Sequence, residues 1–167
     1  MGKRRQSSSQ LGRAEKTSPP VNLATMYSGR SLHAIDGSNR IMLPSGWRVE
    51  GAPTQFFVLI ASENHFVVCP PAVFETSLSD LRANTADKSL IPKLERELND
   101  RVRQVSLDRF GRLPLPSEFL TRAHIEKQGE LIGRFSKFEI WPCENPALSE
   151  AERQPPSPEL ATMIEQL

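Results

Sequence analysis

Shifted by 72 residues, the chain lies over itself. Asp36-Gly-Ser-Asn-Arg40 falls on Asp108-Arg-Phe-Gly-Arg112, Leu43-Pro44-Ser45 on Leu115-Pro116-Ser117, Leu59-Ile60 on Leu131-Ile132, Phe66 on Phe138 and Pro70 on Pro142. Over residues 36–70, nine of 35 positions are identical without a gap, where typical residue frequencies give about two. Self-similarity at a fixed offset marks a duplicated unit. Two copies of one small fold are therefore expected, at 26–75 and 99–147, joined by a helical connector at 76–98.

The content of each copy follows from its residues. Residues 31–35 and 102–107 alternate weakly and lead into the Asp, as strands would. Arg40-Ile-Met-Leu43 and Arg112-Leu-Pro-Leu115 start second extended runs, so the stretch between forms a tight turn. Asn39 and Gly111, each before the Arg, are the residue types that most readily accept positive φ. The turn's opening Asp can accept hydrogen bonds from backbone N–H groups and hold the loop shut. Leu-Pro-Ser then suits a helix start, with Trp47 and Phe119 in equivalent places as core anchors. Residues 55–61 and 130–133 predict third strands, and 66–69 and 138–141 fourth strands, with hairpin loops at 62–65 and 134–137. Each copy reads β-β-α-β-β, and the class is α+β.

In the connector, Phe74, Leu78 and Leu81 follow helical spacing, and Leu90/Ile91, Leu94, Leu98 and Val102 make a longer apolar stripe. Such a stripe packs on a core; the same stripe could serve a subunit interface. Both ends read as tails. Residues 1–25 carry a balance of +4 and residues 144–167 a balance of −4, so that of the net +1 the body keeps about +1. The N-terminal Lys3-Arg4-Arg5 cluster is either a solvated basic tail or a phosphate-binding arm. The Pro-rich acidic tail, 148–167, has room for a closing helix near Glu159 to Leu167.

Several function classes drop out. No apolar run approaches the roughly 18–20 residues that cross a bilayer, and no apolar segment follows the basic N-terminus as a secretory signal requires. Cys69 and Cys143 are too few for a disulfide framework or a four-ligand zinc site. His33, His65 and His124 have no acidic or Cys partner at metal-ligand spacing. Neither a phosphate-binding Gly loop nor a G-x-S-x-G elbow is present. No catalytic residues, cofactor, metal or small-molecule substrate are expected, and a body so near neutral does not bind nucleic acid through bulk charge.

The doubled Asp-x-x-x-Arg-(Ile/Leu)-x-Leu-Pro element resembles the MraZ family of bacterial transcriptional regulators. So do Tyr27-Ser-Gly29-Arg-Ser-Leu-His33 and Arg134-Phe-Ser-Lys-Phe-Glu-Ile-Trp141, and the resemblance covers about residues 26–145. It implies two tandem AbrB-like swapped-hairpin units related by a pseudo-twofold. It also implies a cytoplasmic, nucleoid-associated homo-oligomer that forms a ring. Such a ring binds short G-T-G-containing direct repeats upstream of the division and cell-wall gene cluster, usually as a repressor. DNA contact is implied for Asp36, Ser38, Asn39 and Arg40 of the first loop. Asp108 and Arg112 of the second would be structural or a second contact. The family commonly carries Lys-Gly before the Arg, where this chain has Ser38-Asn39 and Phe110-Gly111. The loss of that Lys leaves open an interaction scaffold that keeps the fold without DNA recognition. The family's sequences begin at the Tyr27 position, so Met26 offers an alternative start codon, with residues 1–25 an artefact of the longer reading.

Physically, an Asp-braced turn can aim a guanidinium at a guanine O6/N7 edge, worth about 1–3 kcal/mol of discrimination. One such contact gives little affinity. A ring presenting several gains about 10²–10⁴ in avidity when its geometry permits simultaneous contact.

Overall fold

The computed structural model describes residues 26–62, 65–143 and 155–167; the basic tail, the Glu63-Asn64 tip and residues 144–154 of the acidic segment lie outside the described residues. In chain order the first repeat supplies β1 (Arg30–Ala34), β2 (Arg40–Met42), a 3-10 turn (Ser45–Trp47), β3 (Gln55–Ser62) and β4 (His65–Cys69). Helices α1 (Pro71–Asn84) and α2 (Ile91–Asn99) follow, with a 3-10 turn at Lys88–Leu90 between them. The second repeat supplies β5 (Val102–Ser106), β6 (Arg112–Pro114), α3 (Ser117–Ala123), β7 (Gln128–Gly133) and β8 (Phe138–Pro142), and α4 (Pro158–Glu165) comes last. The α+β class and all eight expected strands are present.

The strands form one six-stranded antiparallel sheet, ordered β1-β7-β8-β4-β3-β5, and a separate β2-β6 ribbon. Exchanging each strand with its counterpart in the other repeat reverses this order onto itself. The first strand of each repeat pairs with the third strand of the other: Ser31 faces Leu131, and Val105 faces Phe56. The two fourth strands meet at the centre, Phe66 facing Ile140. In the ribbon Ile41 faces Leu113.

Strand alternation buries one face. Phe56, Val58, Ile60, Phe66, Val68, Leu131, Phe138 and Ile140 point inward, against Ile41, Leu43, Leu113 and Leu115 of the ribbon and its flanks. Trp47 and Phe119 close the core, as their places in the repeat predict. Phe138 lies among Tyr27, Trp47 and Phe56, with ring centroids 5.1, 4.9 and 5.7 Å away. Trp47 Nε1 donates to the Ser28 carbonyl at 3.1 Å. One core is thus built by both repeats.

Two expectations need correction. The helix after the first Leu-Pro-Ser is a single 3-10 turn, because Gly46 disfavours continuation and Gly51 turns the chain at φ 81° soon afterwards. In the second repeat, Glu118, Phe119 and Leu120 sustain a true helix, ended by His124 at φ 55°. The connector stripe does not reach the core either. No residue of α1 or α2 is fully buried, and Val102 belongs to β5. These helices lie across the outer sheet face, where the rings of Phe74 and Phe57 stack at 4.3 Å. Inward-facing side chains of the sheet already find partners in the ribbon, so the helices have only the outward ones to cover. The closing helix expected at Glu159–Leu167 is α4, its N-terminus capped by Ser157 Oγ, which accepts from Leu160 N at 3.3 Å.

Candidate nucleic-acid interface

Each Asp-x-x-x-Arg loop is closed by the same bonds. Asp36 Oδ1 accepts from Ser38 N at 2.9 Å and Arg40 N at 3.0 Å; Asp108 Oδ1 accepts from Phe110 N and Arg112 N, both at 2.9 Å. The backbone repeats the pattern: Asp36 N donates to the Arg40 carbonyl, and Asp108 N to that of Arg112, each at 2.9 Å. Closure needs a left-handed residue before each Arg, and Asn39 (φ 59°) and Gly111 (φ 81°) supply it, as their residue types predict.

Pairing of β2 with β6 sets the loops side by side. Asn39 O accepts from Leu115 N at 2.8 Å, and Gly111 O from Leu43 N at 3.2 Å. As a result the four charged side chains interlock. Arg40 gives Nε to Asp36 Oδ2 and Nη1 to Asp108 Oδ2, both at 3.2 Å. Arg112 gives Nε to Asp108 Oδ2 at 2.8 Å and Nη1 to Asp36 Oδ2 at 3.4 Å. Each arginine thus spans both carboxylates. A guanidinium has five N–H donors; with two committed, three remain on Arg40 among the described residues, and its side chain is 30% exposed. The quartet's formal charge is zero, so it anchors guanidinium groups at an edge without attracting phosphates by itself.

Of the residues expected at the site, Ser38 is exposed, Asn39 half-buried, and Asp36, Arg40, Asp108 and Arg112 form the quartet. Periodicity gives no hint of the crossed pairs, which join residues 68 and 76 apart. Arg48 and Arg109 beside the second loop are not expected at the site from the sequence, and Phe110 enters there only as the residue standing in the place of the family's Lys. Their signal lies in the repeat alignment, where they stand opposite Leu120, Gly37 and Ser38.

The Asp36 carboxyl is held below its ordinary value of 3.8, first by the Arg40 N–H, then by Ser38 N and the two guanidinium charges, against partial burial. For Asp108, desolvation is the largest influence and pulls upward. The hydrogen bonds from Arg112 and Phe110, with the Arg112 charge, together outweigh it and leave a net lowering. A carboxylate depressed in the fold contributes stability fully present above its unfolded pKa and lost as pH falls through the folded one. Both loops are therefore expected to unfasten in acid. In NMR titration, the amide shifts of Ser38, Arg40, Phe110 and Arg112 should move together with a midpoint below 3.8, while Phe138 ring signals hold; a midpoint above 3.8 contradicts the bracing.

Elsewhere, Cys69 is buried and Cys143 exposed, both free thiols. Among the described residues no three His, Cys, Asp or Glu side chains are grouped to share a metal ion, and no helix is long and apolar enough to cross a membrane.

A family profile described as "MraZ protein, putative antitoxin-like" matches residues 26–96 and 102–155. Among similar proteins, one from Pelodictyon phaeoclathratiforme named Transcriptional regulator MraZ is 30% identical over 128 residues, covering 69% of this chain and 82% of the relative. A protein of the same name from Alcanivorax borkumensis is 26% identical over 120 residues, covering 70% and 82%. A third, from Mycoplasma mobile, is 28% identical over 107 residues, covering 64% and 73%.

Proposed function

The chain belongs to the MraZ family, and from that premise we propose that it is a sequence-specific DNA-binding transcriptional regulator. The observation carrying this reading is the interlocked pair of Asp-x-x-x-Arg loops, which holds Arg40 on a rigid bend with three donors uncommitted. A preset guanidinium loses little conformational entropy when it meets a guanine edge, whereas a free arginine must be ordered first.

In this reading residues 26–75 and 99–147 are AbrB-like swapped-hairpin units, the strand exchange between repeats being the swap, and 76–98 is the connector. Copies of the chain assemble into a ring in the cytoplasm, associated with the nucleoid. The ring lays several loops on G-T-G-containing direct repeats upstream of the division and cell-wall cluster, its own gene included. Asp36, Ser38, Asn39 and Arg40 carry the first contact; Asp108 and Arg112 brace it. No catalysis, cofactor or small-molecule substrate enters. The half-buried hollow of about 580 Å³ between Phe57, Phe74, Leu78 and Leu98 is where a neighbouring copy would pack.

A gel-shift titration against the chain's own upstream DNA, with sizing chromatography, tests the function. Binding that weakens with salt at a slope of about −0.9 per phosphate contact is expected. A second reading has one observation in its favour. The quartet is charge-neutral, as a scaffold that keeps the fold without DNA recognition would allow. Indifference to that DNA at low salt, with the oligomer intact, would select it.

A further inference from the structure

The two loops are alike in their bracing and unlike in what they display. At the tip of the first stand Gly37 and Ser38, exposed and uncharged. The corresponding places in the second hold Arg109 and Phe110, the latter residue 53% exposed. Two cations flank that ring, the guanidinium carbons of Arg109 and Arg112 lying 4.6 and 5.0 Å from its centroid. No carboxylate among the described residues pairs with Arg109.

The difference extends behind the loop. Arg48 lies across Gly111, so close that a Cβ built on the glycine would stand 2.3 Å from Arg48 Cδ, and its Nε is fixed on the Leu43 carbonyl at 2.8 Å. Its counterpart beside the first loop is Leu120, buried and apolar. Arg48 and Arg109 border a hollow of about 170 Å³ whose wall includes Thr54, Asp108 and Gly111. The Asp108 carboxylate already receives two backbone N–H groups and two guanidinium donors. Together with Asp36 it neutralises Arg40 and Arg112, and among the described residues no carboxylate pairs with the two arginines of the hollow.

We propose that this hollow seats a phosphate of double-stranded DNA between Arg48 and Arg109, and that Phe110 beside it meets the 5-methyl group of a thymine in the major groove. The proposal rests on the DNA-binding reading above and moves part of the contact to the second loop. The chemistry is divided as in other duplex readers: cations on phosphates set position, and groups touching base edges set sequence. Phe is among the side chains suited to the thymine methyl, which only thymine presents in that groove. An uncompensated Arg109 also supplies, from the second loop, the charge that Ser38 withholds from the first.

Fluorescence anisotropy tests this with a duplex carrying the chain's upstream DNA and a second duplex with deoxyuracil in place of thymine. Both tip side chains are exposed, so Arg109→Gln and Phe110→Ala should leave the fold intact. Arg109→Gln is expected to weaken binding and reduce the salt slope by about 1 per contact. Loss of thymine methyls should weaken wild-type binding by about fourfold, the worth of one buried methyl group, and leave Phe110→Ala unaffected. An unchanged slope in Arg109→Gln, or the same thymine preference in wild type and Phe110→Ala, overturns the proposal. Should Arg40→Ala lose binding while both tip variants keep it, the second-loop site alone falls; a wild-type chain that binds neither duplex at low salt overturns both readings.

Discussion

Arg40→Ala is expected to reduce binding to the chain's upstream DNA by about 5- to 150-fold, since one guanine contact is worth about 1–3 kcal/mol. A multivalent assembly would compound the loss. The same change removes two ion pairs, to Asp36 and Asp108, yet half-exposed pairs of this kind contribute little to stability. The melting temperature should therefore change little, and so should the assembly in the proposed reading. Arg112→Ala is the matched control, because it removes the mirror-image pairs. If Arg40 reads DNA, its loss must exceed that of Arg112. Equal losses would reduce both arginines to braces, and an Arg40→Ala protein with wild-type affinity would remove the first loop from the interface altogether. Gel shift and differential scanning calorimetry on the two variants give the answer together.

Phe138→Ala should have the largest effect on the fold. The ring is fully buried and packs on Tyr27, Trp47 and Phe56, all from the other repeat. Truncating such a ring costs about 3–5 kcal/mol, a large share of the roughly 5–15 kcal/mol that holds a domain together. Because the cluster belongs to both repeats, they should melt together. Urea unfolding is expected to show a lower midpoint and one transition with an unchanged slope. Two separate transitions, the first repeat outlasting the second, would contradict a shared core.

Much of this was legible in the residues. The offset of 72 located both loops, and the turn chemistry at Asn39 and Gly111 anticipated their left-handed backbone. It did so because positive φ is a local steric demand that residue type answers directly. The strands appeared within two residues of their expected ends, since alternation is also local. What escaped is non-local. Nothing in the pattern of residues 30–34 says that they pair with 128–132 rather than with a strand of their own repeat, because every β edge offers the same backbone groups. The clasp of Arg40 on Asp108 follows from another contact between the repeats, the pairing of β2 with β6, which local pattern does not announce either. The connector misled for a related reason. Its stripe at helical spacing signals an apolar face, but spacing cannot say whether that face meets the interior or only the outside of a sheet.

The broken likeness of the two loops has a further consequence. A protein with a true dyad confronts DNA with identical halves, and the element that suits it is a palindrome, readable from either strand. Here one chain places Gly37-Ser38 beside Arg109-Phe110 across the approximate axis, so its two flanks are chemically distinct. Turning the molecule end for end on a duplex would put the arginine and the ring over different base pairs. An operator for such a reader is free to be directional, and a bound copy would then have a heading along the helix.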